Sequence, residues 1–441
     1  MGLILTMLKT FKSGSLNEEQ IKLLQHKKLN KLVLYARKNS RYFEKLYSNV
    51  GEKFDLKDLP ITNKVELMSC FDEWVTDSSV NLQKINKFTS DIENVGHMLN
   101  NKYLVFKTSG STGNPAIVLY DKTAIDVASS VAALRTFARK QDFKAFMKNG
   151  KRTAGVFADY GFYLACGMSK YLSLKMPKKK NKITIDVNLP QQEIINRLNE
   201  FQPAMLSGYP SNLALLCEYD TLNIKPNVVI TGGELLSNKT REKLAKKFNC
   251  YVQTHYSCTE VGEIACECSE GHLHINEDWV IVEPVDKDNK PVGYGVCSDK
   301  VLVTNLSNFI QPFIRYELND RVILHNEKCA CGKKSVWLEV EGRSDDILQF
   351  ENKVEIAPMS FYKILEEVKG VKRFQLVQLS FNKLELRLEA EDRQQAYKNS
   401  NEKLQEFLNS KGVSNVEILL SSSLPCANKV SGKFKHVYKN F

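Results

Sequence analysis

The octet Thr108 to Pro115 reads Thr-Ser-Gly-Ser-Thr-Gly-Asn-Pro, a composition suited to holding an oxyanion. Ser109, Ser111 and Thr112 offer hydroxyl donors, and Gly110 and Gly113 let backbone N–H groups crowd round an anion. No Gly-Lys-Ser/Thr follows, so this is not a Walker A loop, and by itself the octet reads equally well as a polar hairpin. A second constellation consists of soft ligands. Cys268 and His274 precede Cys329 and Cys331. Three thiolates and one imidazole make a closed tetrahedral set suited to structural zinc, with no open position for catalysis. Cys258, Cys266 and His272 are rival ligands, and free thiols beside a surface histidine are the plain alternative.

The elements around these residues follow from hydrophobic spacing. Tyr103-Leu-Val-Phe-Lys107 and Ala116-Ile-Val-Leu-Tyr120 read as strands, so the octet forms a strand–turn–strand tip. Helical spacing covers 17–48, and Thr62 or Asn63 caps a helix over 65–74. Downstream, helices at 124–138, 190–201, 212–219 and 237–248 alternate with strands at 153–158, 182–187, 205–207, 227–231 and 251–256. Two of these strands run into Gly232-Gly233-Glu234 and Ser-Cys-Thr-Glu260. This is the pattern of an open α/β sheet whose ligands sit outside the carboxyl ends of its strands. Shorter strands follow between 264 and 331. Beyond Gly342-Arg-Ser-Asp-Asp a small α+β unit begins, with a boundary near Asp345. The expected fold class is α/β: a large N-terminal domain (1–344) of sheets with helices, including a small β subdomain at 264–340, and a small mobile α+β domain at 345–441.

Composition narrows the function classes. A chain of 441 residues exceeds one ordinary core. A hydrophobic fraction of 43% with 26% charged residues is that of a globular protein. No run of about 18 apolar residues exists, so no membrane span is expected. The apolar start, Met1 to Leu8, lacks a basic flank and a cleavage site, and a cytoplasmic location is expected. Eleven cysteines, several at Cys-x-Cys spacing, suit reduced thiols or metal rather than a secreted disulfide framework. The net charge of +11 is spread along the chain, its densest run being Lys178-Lys-Lys180. No nucleic-acid motif accompanies it, so nucleic acid is not an expected partner, and anionic small substrates account for part of the charge.

Six stretches in order resemble the motifs of the adenylate-forming (acyl- and aryl-CoA ligase) superfamily: Thr108-Ser-Gly-Ser-Thr-Gly, Gly232-Gly-Glu, Tyr256-Ser-Cys-Thr-Glu, Arg315-Tyr-Glu-Leu-Asn-Asp320, Gly342-Arg-Ser-Asp-Asp and Ser431-Gly-Lys433. The chain is most similar to the phenylacetate–CoA ligase-like branch, with its short helical start, its turn at Pro60-Ile-Thr-Asn-Lys64 and its Cys-x-Cys-Gly element. The resemblance spans nearly the whole chain. It implies an acid–thiol ligase in which a carboxylate attacks the α-phosphate of ATP, pyrophosphate leaves, and the acyl group passes to a thiol. Such chemistry asks the protein for positioning and charge neutralisation. The resemblance assigns the β- and γ-phosphates to Thr108, Ser109, Gly110, Ser111, Thr112 and Gly113, and the α-phosphate to Thr259. Glu260 would hold Mg²⁺. Gly232, Gly233 and Glu234 would flank the adenine, Tyr256 would stack on it, and Asp320 with Arg343 would hold the ribose. Lys433, which alone reads as a solvated tail lysine, becomes the catalytic cation bridging the carboxylate and the α-phosphate. Asp345 becomes the hinge of the small domain, and similar zinc ligands occur in the branch.

Two departures bear on the second half-reaction. No glycine follows the Asp-Asp pair in Leu348-Gln-Phe-Glu-Asn-Lys353, and Ser257 stands where a glycine usually follows the tyrosine. The acceptor is therefore open between coenzyme A, a carrier-protein phosphopantetheine and an amine. A catalytically silent nucleotide-binding relative is the alternative from another class. The acid is expected to be aryl or another small carboxylic acid, with Tyr160, Phe162 and Tyr209 as pocket walls. A homodimer is an open expectation.

Overall fold

The computed structural model describes residues 2–108, 115–175 and 181–441. Among them the largest sheet has nine strands. Five are parallel, in the order Lys182–Asp186, Thr153–Phe157, Met205–Gly208, Val228–Gly232, Tyr251–Cys258. The sheet continues antiparallel through Gly262–Glu267, Leu273–Ile275, Trp337–Arg343 and Asp320–His325. The parallel strands are short apolar runs because helices cover them. Leu206, Val229 and Val252 pack with Ile195, Leu198, Leu213 and Leu244 of the helices Gln191–Phe201, Pro210–Leu216 and Asn238–Phe248.

The stretch 264–340, expected as a β subdomain of its own, is divided. Val280–Val285, Lys300–Asn305 and Tyr316–Leu318 form a separate three-stranded sheet, while the strands on either side of them extend the large one. Alternation along each strand was legible in sequence, but the partner of each strand was not. The helical stretch 17–48 is broken at Ser40, whose hydroxyl accepts from the Phe43 N–H to start a new helix. Asn63, not Thr62, caps the next helix. Helices at Leu3–Ser13, Lys140–Lys148 and Leu164–Lys175 had no sequence-based counterpart. The first of these buries Thr6, Thr10 and Ser13 and leaves Ile4, Leu8 and Phe11 exposed, so its apolar residues gave no guide to its packing. Among the described residues, no helix is long and apolar enough to cross a membrane.

The hairpin that carries the Thr108 octet pairs Tyr103–Lys107 with Ile117–Tyr120, with Lys107 opposite Ile117. At its tip Thr108 closes the ladder, its N–H donating to Ala116 O (2.9 Å) and its hydroxyl accepting from Ala116 N–H (2.8 Å). Side chains, not another strand, satisfy the outer edge of Ile117–Tyr120. The Gln311 amide accepts from Leu119 N–H (2.7 Å) and donates to Ile117 O (2.9 Å), and Asn308 donates to Leu119 O (2.7 Å). Both amides are fully buried.

The last part of the chain has its own four-stranded sheet, in the order Glu417–Leu420, Lys383–Ala390, Val371–Ser380, Val437–Lys439. The helices Pro358–Glu366 and Arg393–Ser410 pack on it around Leu376, Leu386 and Leu404. The strand Val437–Lys439 was not expected. It runs parallel to Val371–Ser380, pairing Leu376 with Val437, and so anchors the chain four residues after Lys433.

Replacing Gln311 with Leu orphans a buried N–H and a buried C=O, each costing ~1–3 kcal/mol, so Gln311→Leu is expected to lose roughly 2–6 kcal/mol. Urea unfolding of the variant against the parent measures this.

Candidate active site

The parallel strands end in a cleft of about 2200 Å³ between the large sheet and the C-terminal unit. Thr108, Gly232, Gly233, Glu234, Tyr256, Thr259, Glu260, Asp320, Arg343 and Lys433 all line it. Residues separated by more than 300 positions thus meet at one site. Ser109, Gly110, Ser111, Thr112 and Gly113 lie outside the described residues.

Lys433 reaches the cleft because its neighbours are fastened to the core. Phe434 N–H donates to Glu234 Oε1 (2.7 Å), Ser211 N–H donates to Glu234 Oε2 (3.2 Å), and Asn212 Nδ2 donates to Gly432 O (2.9 Å). Gly432 has φ +66°, and a Cβ there would lie 2.1 Å from Val187 Cγ1, so the close approach requires glycine. Gly233, at φ +77°, likewise leaves room for the Tyr209 ring and for Lys433 Cε. The Lys433 ammonium stands 5.9 Å from the centroid of the Tyr209 ring. Burial lowers the Lys433 amine below its ordinary range, against the pull of Glu234, Asp320 and Glu260. Burial likewise raises the Glu234 carboxyl, and the Phe434 and Ser211 donors hold it back.

On the antiparallel side Tyr256 donates its hydroxyl to Asp320 Oδ2 (2.7 Å), and Arg343 donates to Asp320 Oδ1 (3.3 Å). Burial raises the Asp320 carboxyl, and Arg343 and Tyr256 oppose it. Arg343 also grips Asp345 with two 2.8 Å bonds, and Asp346 pairs with Lys435 at 2.8 Å. Asp346, not Asp345, faces the cleft. Glu260 is buried at 6% exposure and accepts from the Tyr316 hydroxyl (3.2 Å). Burial raises its carboxyl too, so a cation beside it is electrostatically favourable. The backbone oxygen of Thr259 accepts from Tyr120 (3.0 Å), and that of Glu260 from Asn305 (3.0 Å).

Of the three aromatic residues expected as pocket walls, Tyr209 lines the cleft. Tyr160 and Phe162 need correction. Tyr160 is 68% exposed, and Phe162 is buried in the core against Phe88. Aromatic type alone does not separate a wall from a core or a surface position. Tyr163, next to both, does line the cleft. The sequence reading also missed the buried polar run Asn305, Ser307, Asn308 and Gln311, which braces both the hairpin and Glu260. Its signal was four amides and hydroxyls within an otherwise apolar stretch.

Away from the reacting end, one ligand atom each from Cys268, His274, Cys329 and Cys331 lies within 4.8 Å of the others. Cys268 Sγ and Cys329 Sγ are 3.7 Å apart, and Cys331 Sγ and His274 Nε2 are 3.4 Å apart. A tetrahedron with bonds of ~2.1–2.3 Å has edges of about that length. His274 Nδ1 faces Ser335 O (2.9 Å), which turns Nε2 toward the thiols. Of the rivals, Cys266 groups instead with His255 and Glu263. His272 stacks on Trp337 at 3.9 Å with Nδ1 3.2 Å from Cys329 Sγ.

No family model matches the chain. Among curated proteins it is 24% identical to protein CapK of Staphylococcus aureus over 354 residues, covering 75% of this chain and 69% of that protein. It is also 24% identical to phenylacetate-coenzyme A ligase of Thermus thermophilus over 357 residues, covering 76% and 73%. Among solved structures, 2-hydroxyisobutyryl-CoA ligase in the postadenylation state, in complex with R3-HIB-AMP, matches with a TM-score of 0.70 at 17% identity, covering 97% of this chain and 91% of that one. The same ligase in the thioesterification state matches at 0.58. The fold is that of the adenylate-forming (acyl- and aryl-CoA ligase) superfamily. One of the two curated relatives is named as a phenylacetate-coenzyme A ligase, the branch that the ordered motifs resemble.

Gly432→Ala is expected to push Ser431–Phe434 off the core. Amide exchange at Phe434 should rise at least tenfold, and adding Val187→Ala should recover part of the protection. Hydrogen exchange of peptides spanning 428–436 measures both.

Proposed function

We propose that the protein activates a small carboxylic acid with ATP, forming an acyl-adenylate and pyrophosphate, and then transfers the acyl group to coenzyme A. The observation that carries this reading is the delivery of Lys433, by a separately folded C-terminal unit, into the cleft that holds Glu234, Thr259, Glu260 and Asp320. The acid's carboxylate oxygen attacks the α-phosphorus, and the bond to the pyrophosphate oxygen breaks. Negative charge accumulates on the α-phosphate, where the Lys433 ammonium and the Thr259 hydroxyl neutralise it. Gly232 to Glu234 and Tyr256 bound the base, with Asp320 and Arg343 at the ribose. The Ser109–Gly113 loop holds the departing phosphates, an assignment resting on its sequence. Glu260 would hold Mg²⁺, and the ion would offset charge on the phosphate oxygens.

Thioester formation requires Lys433 to withdraw and a thiol to approach the acyl carbon, with AMP leaving. The chain divides for this purpose into a core of 1–344 and a lid of 345–441 turning at Asp345, whose grip on Arg343 must yield or pivot. Coenzyme A is favoured as acceptor over a carrier protein or an amine because one curated relative and the solved neighbour of similar fold are named as CoA ligases. Cys268, His274, Cys329 and Cys331 would hold a structural zinc, which would tie the loop at 268–274 to that at 329–331.

With a panel of aryl and short aliphatic acids, at least one is expected to support ATP–pyrophosphate exchange and then CoA-thioester formation. Lys433→Ala should lower exchange on the order of 10²–10³-fold, the scale of losing one charge-stabilising donor. Absence of exchange with every acid, together with unaltered ATP binding in Lys433→Ala, would leave only a silent nucleotide-binding protein. Metal analysis should return one zinc per chain, and Cys329→Ser with Cys331→Ser should abolish it and lower the melting temperature.

A further inference from the structure

One part of the cleft wall is unused by the nucleotide or by Lys433. Ala128 and Ala132 of the helix Lys122–Arg135, and Thr136 just after it, recur every fourth residue and line the cleft with short side chains. His255 and Glu263 from adjacent strands also line it. The His255 side chain is only 9% exposed, and its Nδ1 lies 3.5 Å from Glu263 Oε2. That oxygen is sealed from solvent against the imidazole, while the Glu263 side chain, 32% exposed, lines the cleft. The imidazole is oriented from behind. Ala138 N–H donates to Gln253 Oε1 (3.1 Å), which turns the Gln253 amide nitrogen toward His255 Nε2 (3.1 Å). Nε2 also lies 3.3 Å from the Thr136 carbonyl oxygen, which can only accept, so the ring can donate from both nitrogens, with Nδ1–H directed at Glu263. The pair is close to the chemistry. His255 lies directly across the strand ladder from Gly232, and the next residue, Gly233, packs against Lys433.

We infer that Glu263, positioned by His255, selects a short carboxylic acid that carries a hydrogen-bond donor, an amine or a hydroxyl, at the end remote from its carboxylate. This rests on the adenylation reading above. With its carboxylate at Lys433, the acid would run along the short-side-chain face of the helix and set its donor against the carboxylate of Glu263. An acid that carries the donor gains a charge-assisted bond to this carboxylate, whereas an apolar end strips it of water without replacing the bond.

The test is ATP–pyrophosphate exchange with matched trios: benzoate, aminobenzoate and hydroxybenzoate; butanoate, 4-aminobutanoate and 4-hydroxybutanoate. The parent protein is expected to show kcat/KM at least about tenfold higher for a substituted acid than for its unsubstituted counterpart. The amino and hydroxy arms identify which donor is preferred. Glu263→Leu should reverse the ranking, and Glu263→Gln should reduce it. An unsubstituted acid used as well as or better than its substituted partners by the parent protein overturns the inference and leaves the ligase reading standing. So does a ranking unmoved by Glu263→Leu in a variant that still binds ATP. Exchange with none of the acids, in these trios or in the wider panel, overturns both.

Discussion

The hydrogen bond from the Phe434 N–H to Glu234 holds the site together. Glu234 ends the Gly-Gly-Glu segment at the carboxyl end of a parallel strand, and Phe434 follows Lys433 in a unit with its own sheet. A charge-assisted bond of this kind is worth about 1.5–3 kcal/mol, while a buried carboxylate left without its donors costs more. That asymmetry gives the closed arrangement its geometry without making it permanent. The hydrogen bonds that cross between the two parts at this point, from Phe434 to Glu234 and from Asn212 to Gly432, are of the kind that water can replace. The bulk of each hydrophobic core stays on its own side.

Much of the reacting end was legible because it is written in residue types with few other uses. Gly232-Gly233-Glu234, Tyr256, Glu260, Asp320 and Lys433 sit in short, ordered motifs, and each lines one cleft. The group of Cys268, His274, Cys329 and Cys331 was legible for the same reason, since three cysteines and a histidine in two tight pairs are rare. The walls were not. What separates Phe162 and Tyr160 from Tyr163 as a wall is burial, which is a property of the packed chain rather than of residue type. The strand at Val437–Lys439 was also hidden. It is three residues long, lies in a lysine-rich tail, and gains its stability only by pairing with Val371–Ser380.

The fold shows a comparable division. Helices with regular apolar spacing and strands with alternation fell near their expected places, apart from a break at Ser40 made by one hydroxyl. Sheet membership escaped because strand order depends on long-range pairing, which local pattern does not encode. The same holds for Asn308 and Gln311. Their side chains do the work of a neighbouring strand, and nothing in a linear reading separates an amide that replaces backbone from one that faces water.

That substitution of side chains for a strand has a consequence for association. A bare strand edge is a template on which another chain can add by backbone pairing. In Ile117–Tyr120 the groups that would accept a new strand are already engaged by amides with no outer face to extend the ladder. The hairpin beneath the Thr108 octet is therefore closed to β-sheet growth from this side, and it can present a polar, glycine-containing tip without also offering a seed for aggregation.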